Sequence, residues 1–405
     1  MKLLALVNQW PEPTSSAAGQ HFLQVLDVLS GILTDITIGH TADLGSRAFD
    51  FKHNGIRSQK VLINDTQFDR FIGELQPDIV LFDRFMLEEQ FGWRVNEQCP
   101  NALRILNTED LHGLRAAREE ALKYDKNWLD LVDSNSVMLR ELASLYRCDL
   151  TLVISDFEYH FLKRIDVPER LLHYVPFLLE VADIPEPSGL PTFSERRDFI
   201  FIGNFRHKPN VDAVNYFVSE LWPGIKKQLC QANFHIYGAY SNSGQRIGEA
   251  LDVIWHGAVD HTDEVLSKSK VNIVPLRFGA GLKGKVVEAM MKGTPSVMTQ
   301  VGAEGVFGTV KPNDILAFDN EDFIQKAIKL YTDEVSWQAA QQVGFEVIKS
   351  RFDKTLFENA LIDRIQGIKK QLLSHRKSNI TGAMLQQNDK NSTKYMSKWI
   401  EAKNR

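Results

Sequence analysis

The stretch "NIVPLRFGAGLKGKVVEAMMKGTP", Asn272 to Pro295, decides how this chain is read. A short apolar run of the kind that forms a buried strand ends at a proline. From Arg277 to Lys285, nine residues then hold one arginine, three glycines and two lysines. A helix is expected from about Lys283. In an open parallel sheet, ligands bind at the carboxyl ends of strands. Gly279, Gly281 and Gly284 sit there, and glycine lets a backbone take positive φ and come close to a ligand. The helix start adds free N–H groups and a partial positive charge. Arg277, Lys283 and Lys285 add full charges. The corner therefore favours an anion, above all a phosphate or diphosphate. The plainer alternative is a glycine turn with solvated lysines.

Gly279 to Lys285 also spells G-x-x-x-x-G-K, the frame of a phosphate-binding P-loop. That motif needs a Ser or Thr next, to hold magnesium. The next residue is Val286, and the motif falls late in the chain. A P-loop NTPase is disfavoured on both counts.

Working outward, apolar runs alternate with amphipathic stretches. "KLLALV" (2–7), "DIVLF" (78–82), "LRILN" (103–107) and "LTLVI" (150–154) read as strands. Phe22, Leu23, Val25, Leu26 and Leu29 recur at helical spacing. "SDFE" (155–158) is a capping-box pattern that predicts a helix start. The linker is predicted at 181–197, inside a stretch with three prolines (180–197). The alternation restarts with "FIFIG" (199–203), "FHIYG" (234–238), "VIWHG" (253–257), "VNIVPL" (271–276) and "PSVMT" (295–299), with a helix at 211–222. Strands alternating with helices predict parallel sheets covered on both faces. The predicted fold class is α/β, with two Rossmann-like doubly wound domains at 1–180 and 198–355. A C-terminal helix (356–373) and a polar tail (374–405), loosely ordered or a solvated helix, complete the chain. The tail is lysine-rich, so acceptor or membrane contact would fall there.

The length of 405 residues suits two domains. The formal net charge of −5 argues against a dedicated nucleic-acid binder. Cys99, Cys148 and Cys230 lie far apart, which fits a reducing cytoplasm and neither a disulfide framework nor a zinc cluster. No apolar run approaches the ~18–20 residues needed to cross a bilayer. The expectation is a cytoplasmic protein with room for peripheral contact at the inner face of a membrane.

"FIGNFRHKPNVDAVNYFVSELWPGI", "HIYG", "WHGAVD" and "VPLRFGAGLKGKVVEAMMKGTPSVMTQVGAEGV" occur in that order. Together they resemble the nucleotide-sugar-binding half of family 4 glycosyltransferases of the GT-B fold, over about 198–310. The resemblance implies a cleft between two domains, with a nucleoside-diphosphate sugar as donor substrate and no cofactor or metal. The acceptor would be a glycan, lipid-linked or other hydroxyl. It implies donor-phosphate contacts from Gly203, Asn204 and Arg206, and charge neutralisation on the diphosphate by Arg277 and Lys283. Glu288 would hold the ribose hydroxyls, unless it is an ordinary solvated glutamate. His256 to Val259 would border the base. Gly19 would lie near the phosphates, unless it only serves a helix cap. Many family members carry a second glutamate eight positions before the ribose-binding one. Here that position is Ala280, which puts the donor sugar in question.

In the first domain, "LNTEDLHGLRAARE" (106–119) follows a strand and carries Glu109, Asp110, His112, Arg115 and Arg118. Asp110 or His112 is the candidate to take the acceptor proton or orient its hydroxyl. A structural ion-pair network is the alternative. The sequence lacks D-x-D, H-E-x-x-H and G-x-S-x-G, and its first strand is not followed by G-x-G-x-x-G. These gaps argue against the metal-carboxylate transferases, zincins, serine hydrolases and nicotinamide dehydrogenases.

Overall fold

The structure is a computed structural model that describes residues 1–241 and 252–404. The first sheet is built from β1 (Lys2–Val7), β2 (Asp35–His40), β3 (Arg57–Lys60), β4 (Ile79–Asp83), β5 (Leu103–Asn107), β6 (Leu150–Val153) and β7 (Leu172–Tyr174). Its order is β3-β2-β1-β4-β5-β6-β7, parallel throughout. The second holds β8 (Arg197–Ile202), β9 (Phe234–Tyr237), β10 (Val253–Gly257), β11 (Ser269–Val274), β12 (Ser296–Thr299) and β13 (Leu316–Ala317). Its order is β10-β9-β8-β11-β12-β13, again parallel. The two doubly wound domains are as expected.

The central strands β1, β4 and β5 are buried at every position but Lys2, because both faces are covered. Successive side chains of a strand point to opposite faces, and the core divides accordingly. Leu4, Leu6, Val80, Phe82 and Leu106 pack on one side of the first sheet. Leu3, Ala5, Val7, Leu81 and Ile105 pack on the other, against Phe22, Val25 and Leu29 of the helix Ala17–Ser30. In the second domain Phe199, Phe201, Phe234 and Ile236 pack with Phe217 and Trp222. The segment expected as one helix at 211–222 is Lys208–Tyr216, a π turn Phe217–Leu221 and then Trp222–Gln228.

Strands β2, β3, β7 and β13 carry no strong apolar run, and β3 is exposed along its whole length. They are edge or near-edge strands, where pairing and not burial defines the element.

The chain leaves the first domain and returns beside its point of exit. Leu179 N–H donates to the Phe352 carbonyl (2.7 Å), and Lys354 N–H donates to the Leu179 carbonyl (3.0 Å). The helix Glu358–Lys370 then buries Leu361 and Ile365 in the first domain's core. The tail takes the helical one of its two expected forms, but it is docked and not free in solvent. Residues Ile380–Asn404 form a helix docked on the first domain, not a loose extension. Before it, Arg376 makes two 2.7 Å bonds to the buried Asp149 carboxylate. Low aliphatic content hid this docking, because polar contacts carry much of it.

Strand order reverses at β1, which lies between β2 and β4, and at β8, which lies between β9 and β11. Loops leaving such a switch point diverge and open a crevice at the strands' carboxyl ends. The two crevices face each other.

Candidate active site

Together the crevices form a cleft of about 830 Å3. Two helix N-termini meet at it. Ser16 caps the helix Ala17–Ser30, its hydroxyl accepting from Gly19 N–H (3.1 Å). No side chain caps the helix Gly284–Met291. The two ends pack so tightly that a Cβ on Gly284 would lie 2.3 Å from the Ala17 Cβ. Both partial positive poles thus converge on one space.

Full charges gather there too. Lys283 is buried, donates to the Gly281 carbonyl (2.9 Å) and lies 3.8 Å from Glu304. Burial pushes its ammonium down to about 8. Lys285 donates to Asn210 Oδ1 (2.6 Å) and lies 3.9 Å from the centre of the Phe201 ring. Burial pushes it down to about 7. Glu288 lines the same wall, with Gln20 and Thr262 hydrogen-bonded to its carboxyl, and burial pushes that carboxyl up to about 7. Gly203, Asn204, Arg206 and Gly279 line the cleft as well, as do Ala258 and Val259. The Arg206 guanidinium lies over the Tyr240 ring at 3.6 Å.

The first domain supplies the opposite wall. Asp110 pairs with Arg115 and lies 3.3 Å from His112 Nε2. His112 is held below the ordinary histidine value, first by burial, with Arg84 adding to the effect. Beneath them Glu109 accepts from Asn107 Nδ2 (2.7 Å) and faces His21 Nδ1 at 3.3 Å. Asp83 is pushed up to about 6, first by burial, although Arg84 opposes the shift.

Three predicted positions are corrected. Arg277 does not line the cleft. Its Nε donates to Asp212 (3.0 Å), and its guanidinium lies 4.7 Å from the centre of the Tyr216 ring. Phe278 next to it is buried, while the arginine stays partly exposed on Asp212. Gly19 does not line the cleft either. A Cβ there would lie 2.7 Å from Glu12 N, so the glycine lets the 12–16 loop fold over the helix. Gly281 serves the seam between domains. At φ +66°, a Cβ there would lie 2.8 Å from the Asp110 Cβ.

That seam was invisible in the sequence. Glu158, expected to complete a capping box, accepts from Leu111 N–H (2.9 Å) in the first domain and Gly281 N–H (2.7 Å) in the second. Burial pushes its carboxyl up to about 7. Arg118 donates to the Gly279 carbonyl (2.8 Å) and to both oxygens of Glu304 (2.7 Å each). Tyr240 donates to Glu12 (3.0 Å) at the rim. Ala280 packs on the first domain's apolar cluster. His207 was also missed. Burial, with Arg115, Lys285, His112 and Arg84 nearby, pushes its imidazole down to about 3. The basic run Arg206–Lys208 was its one visible signal.

Residues 196–333 match the family model described as glycosyl transferases group 1. No curated protein matches the sequence closely enough to be called a relative. Among solved structures, sucrose-phosphate synthase from Thermosynechococcus elongatus aligns with a TM-score of 0.68 at 14% identity, over 92% of this chain and 99% of that one. HepE from Anabaena, solved in complex with UDP and glucose, aligns with a TM-score of 0.66 at 13% identity, over 90% and 99%. WaaG, a glycosyltransferase involved in lipopolysaccharide biosynthesis, gives 0.60 at 13% identity, over 90% and 100%. The chain has the two-domain GT-B fold, and most of its second domain matches the glycosyl transferases group 1 model.

Proposed function

We propose that this protein moves a sugar from a nucleoside-diphosphate sugar to an acceptor hydroxyl, with retention of configuration and without a metal. The observation that carries the reading is the meeting of two helix N-termini with Lys283 and Lys285 in one cleft. In the reaction the bond between the anomeric carbon and the diphosphate oxygen breaks, and its electron pair goes to the phosphate. The acceptor oxygen forms the new bond and gives up its proton. Lys283, Lys285 and the helix ends stabilise the charge that grows on the diphosphate, at no reorganisation cost because they are already in place. Arg206 extends this positive wall, in the role first given to Arg277, while His207 beside it is kept neutral by burial. Glu288, with Gln20 beside it, takes the ribose hydroxyls. On the first domain, His112 is kept neutral by burial and accepts or orients the acceptor proton, with Asp110 holding the ring. The closed seam keeps water from the sugar.

Because HepE was solved with UDP, UDP is the first nucleotide to try here. The proposed setting is the cytoplasmic assembly of a polysaccharide or glycoconjugate. The test is a thermal-shift screen of UDP, GDP and ADP, followed by turnover of the matching sugar donors with and without EDTA. Stabilisation by one nucleotide and EDTA-resistant transfer are expected. No nucleotide binding would sink the whole reading, and a divalent-ion requirement would sink its metal-free part. A second reading, a non-catalytic nucleotide-sugar-binding subunit, is favoured by Ala280, which faces the cleft without a carboxylate. Tight nucleotide binding with no transfer or donor hydrolysis would select it.

A further inference from the structure

The C-terminal helix Ile380–Asn404 has one side fastened to the first domain and one side bare. Inward, Gln386 donates to the Arg147 carbonyl (3.0 Å), Arg94 donates to Ser397 Oγ (3.1 Å), and Glu401 accepts from Thr66 Oγ1 (2.8 Å). Outward, Ile380 is 70% exposed, Met384 63%, Tyr395 63% and Trp399 60%. Their spacings of four, eleven and four residues stack them along one side of a helix. Lys377, Lys398 and Lys403 are exposed beside them. Residues 372–405 hold seven basic and two acidic residues in a chain whose net charge is −5. Of those two acids, Glu401 is held against Thr66.

We propose that this bare face seats the first domain on an anionic lipid surface. The core of a protein–protein interface is depleted of lysine. Tryptophan and tyrosine flanked by lysine is the pattern of a helix lying in the headgroup layer. Among the described residues no helix is long and apolar enough to cross a membrane, so the contact is peripheral. The first domain is the acceptor side of the cleft in the reading above, so such seating would present the cleft to an acceptor anchored in the bilayer. The surface contact itself does not depend on that reading.

The experiment is co-sedimentation of the full chain with vesicles of phosphatidylcholine alone, or mixed with phosphatidylglycerol. Binding to the mixed vesicles is expected, at least ~10-fold weaker on neutral vesicles and in high salt. Tyr395→Ser/Trp399→Ser and Lys398→Glu/Lys403→Glu should each lose it with melting temperatures unchanged. All four side chains are exposed, and the lipid and salt dependence of the wild-type protein tests the idea even if a variant misfolds. Absence of binding, or equal binding to both vesicles, would overturn the proposal. So would a dimer in solution that Tyr395→Ser/Trp399→Ser dissolves, since a second copy would then be the occupant.

Discussion

Replacing Lys285 with methionine should weaken nucleotide binding while leaving the fold as stable as before, or more so. In the free protein its ammonium lies against Asn210 and the Phe201 ring, and burial has already driven its pKa down to about 7. The fold therefore works against this charge, and methionine keeps an unbranched stem of similar reach on the same ring. Bound diphosphate reverses the balance, because the ammonium then gains a full anion. A charge-assisted hydrogen bond contributes about 1.5–3 kcal/mol, or roughly 10- to 150-fold in affinity at ~1.36 kcal/mol per decade. Isothermal titration with UDP, or whichever nucleotide stabilises the wild type, reads the affinity, and thermal melting reads the fold. Affinity within about threefold of wild type, less than ~0.7 kcal/mol, would refute the assignment of Lys285 to the diphosphate. A large fall in melting temperature would refute the claim that the charge is kept for binding and not for stability.

Nucleotide binding should take up protons at pH 8 and weaken above it. The free ammoniums of Lys285 and Lys283 titrate near about 7 and about 8, a bound diphosphate raises both, and affinity present at lower pH is lost as the free lysines deprotonate. Calorimetry at pH 8 in buffers of different ionisation heat checks this, and proton release would have the sign wrong. Arg277→Ala should leave nucleotide affinity unchanged and cost at most about 1 kcal/mol of stability, since it breaks only a part-exposed pair with Asp212. A tenfold loss of affinity in that variant would return Arg277 to the site. Gly281→Ala should open the seam, because the new Cβ meets Asp110 and the Glu109 carbonyl at 2.8 and 2.9 Å, at a positive φ. A larger radius of gyration in solution scattering and a fall in kcat are expected, and wild-type values of both would show that the seam is not needed.

The sequence by itself determined the architecture and the position of the glycine-rich basic corner. Both are local: a buried parallel strand needs a run of apolar residues, a positive-φ turn needs glycine, and each leaves its mark within a few neighbouring positions. Gly279, Lys283, Glu288 and the Gly203–Arg206 loop were legible for that reason, and all line the cleft. Which charges face the cleft was decided by the tertiary structure. Arg277 and Lys285 look alike in a basic, glycine-rich loop, yet one is drawn onto Asp212 outside the cleft and the other is held by Asn210 within it. Glu158 reads as half of a helix cap, but its carboxylate joins Leu111, 47 positions before it, to Gly281, 123 positions after it. The C-terminal segment from Arg376 on reads as a solvated tail because polar bonds to Asp149, Arg147 and Thr66 leave no apolar pattern. Contacts of this range depend on how the two sheets are set against each other. No window of neighbouring residues encodes that placement.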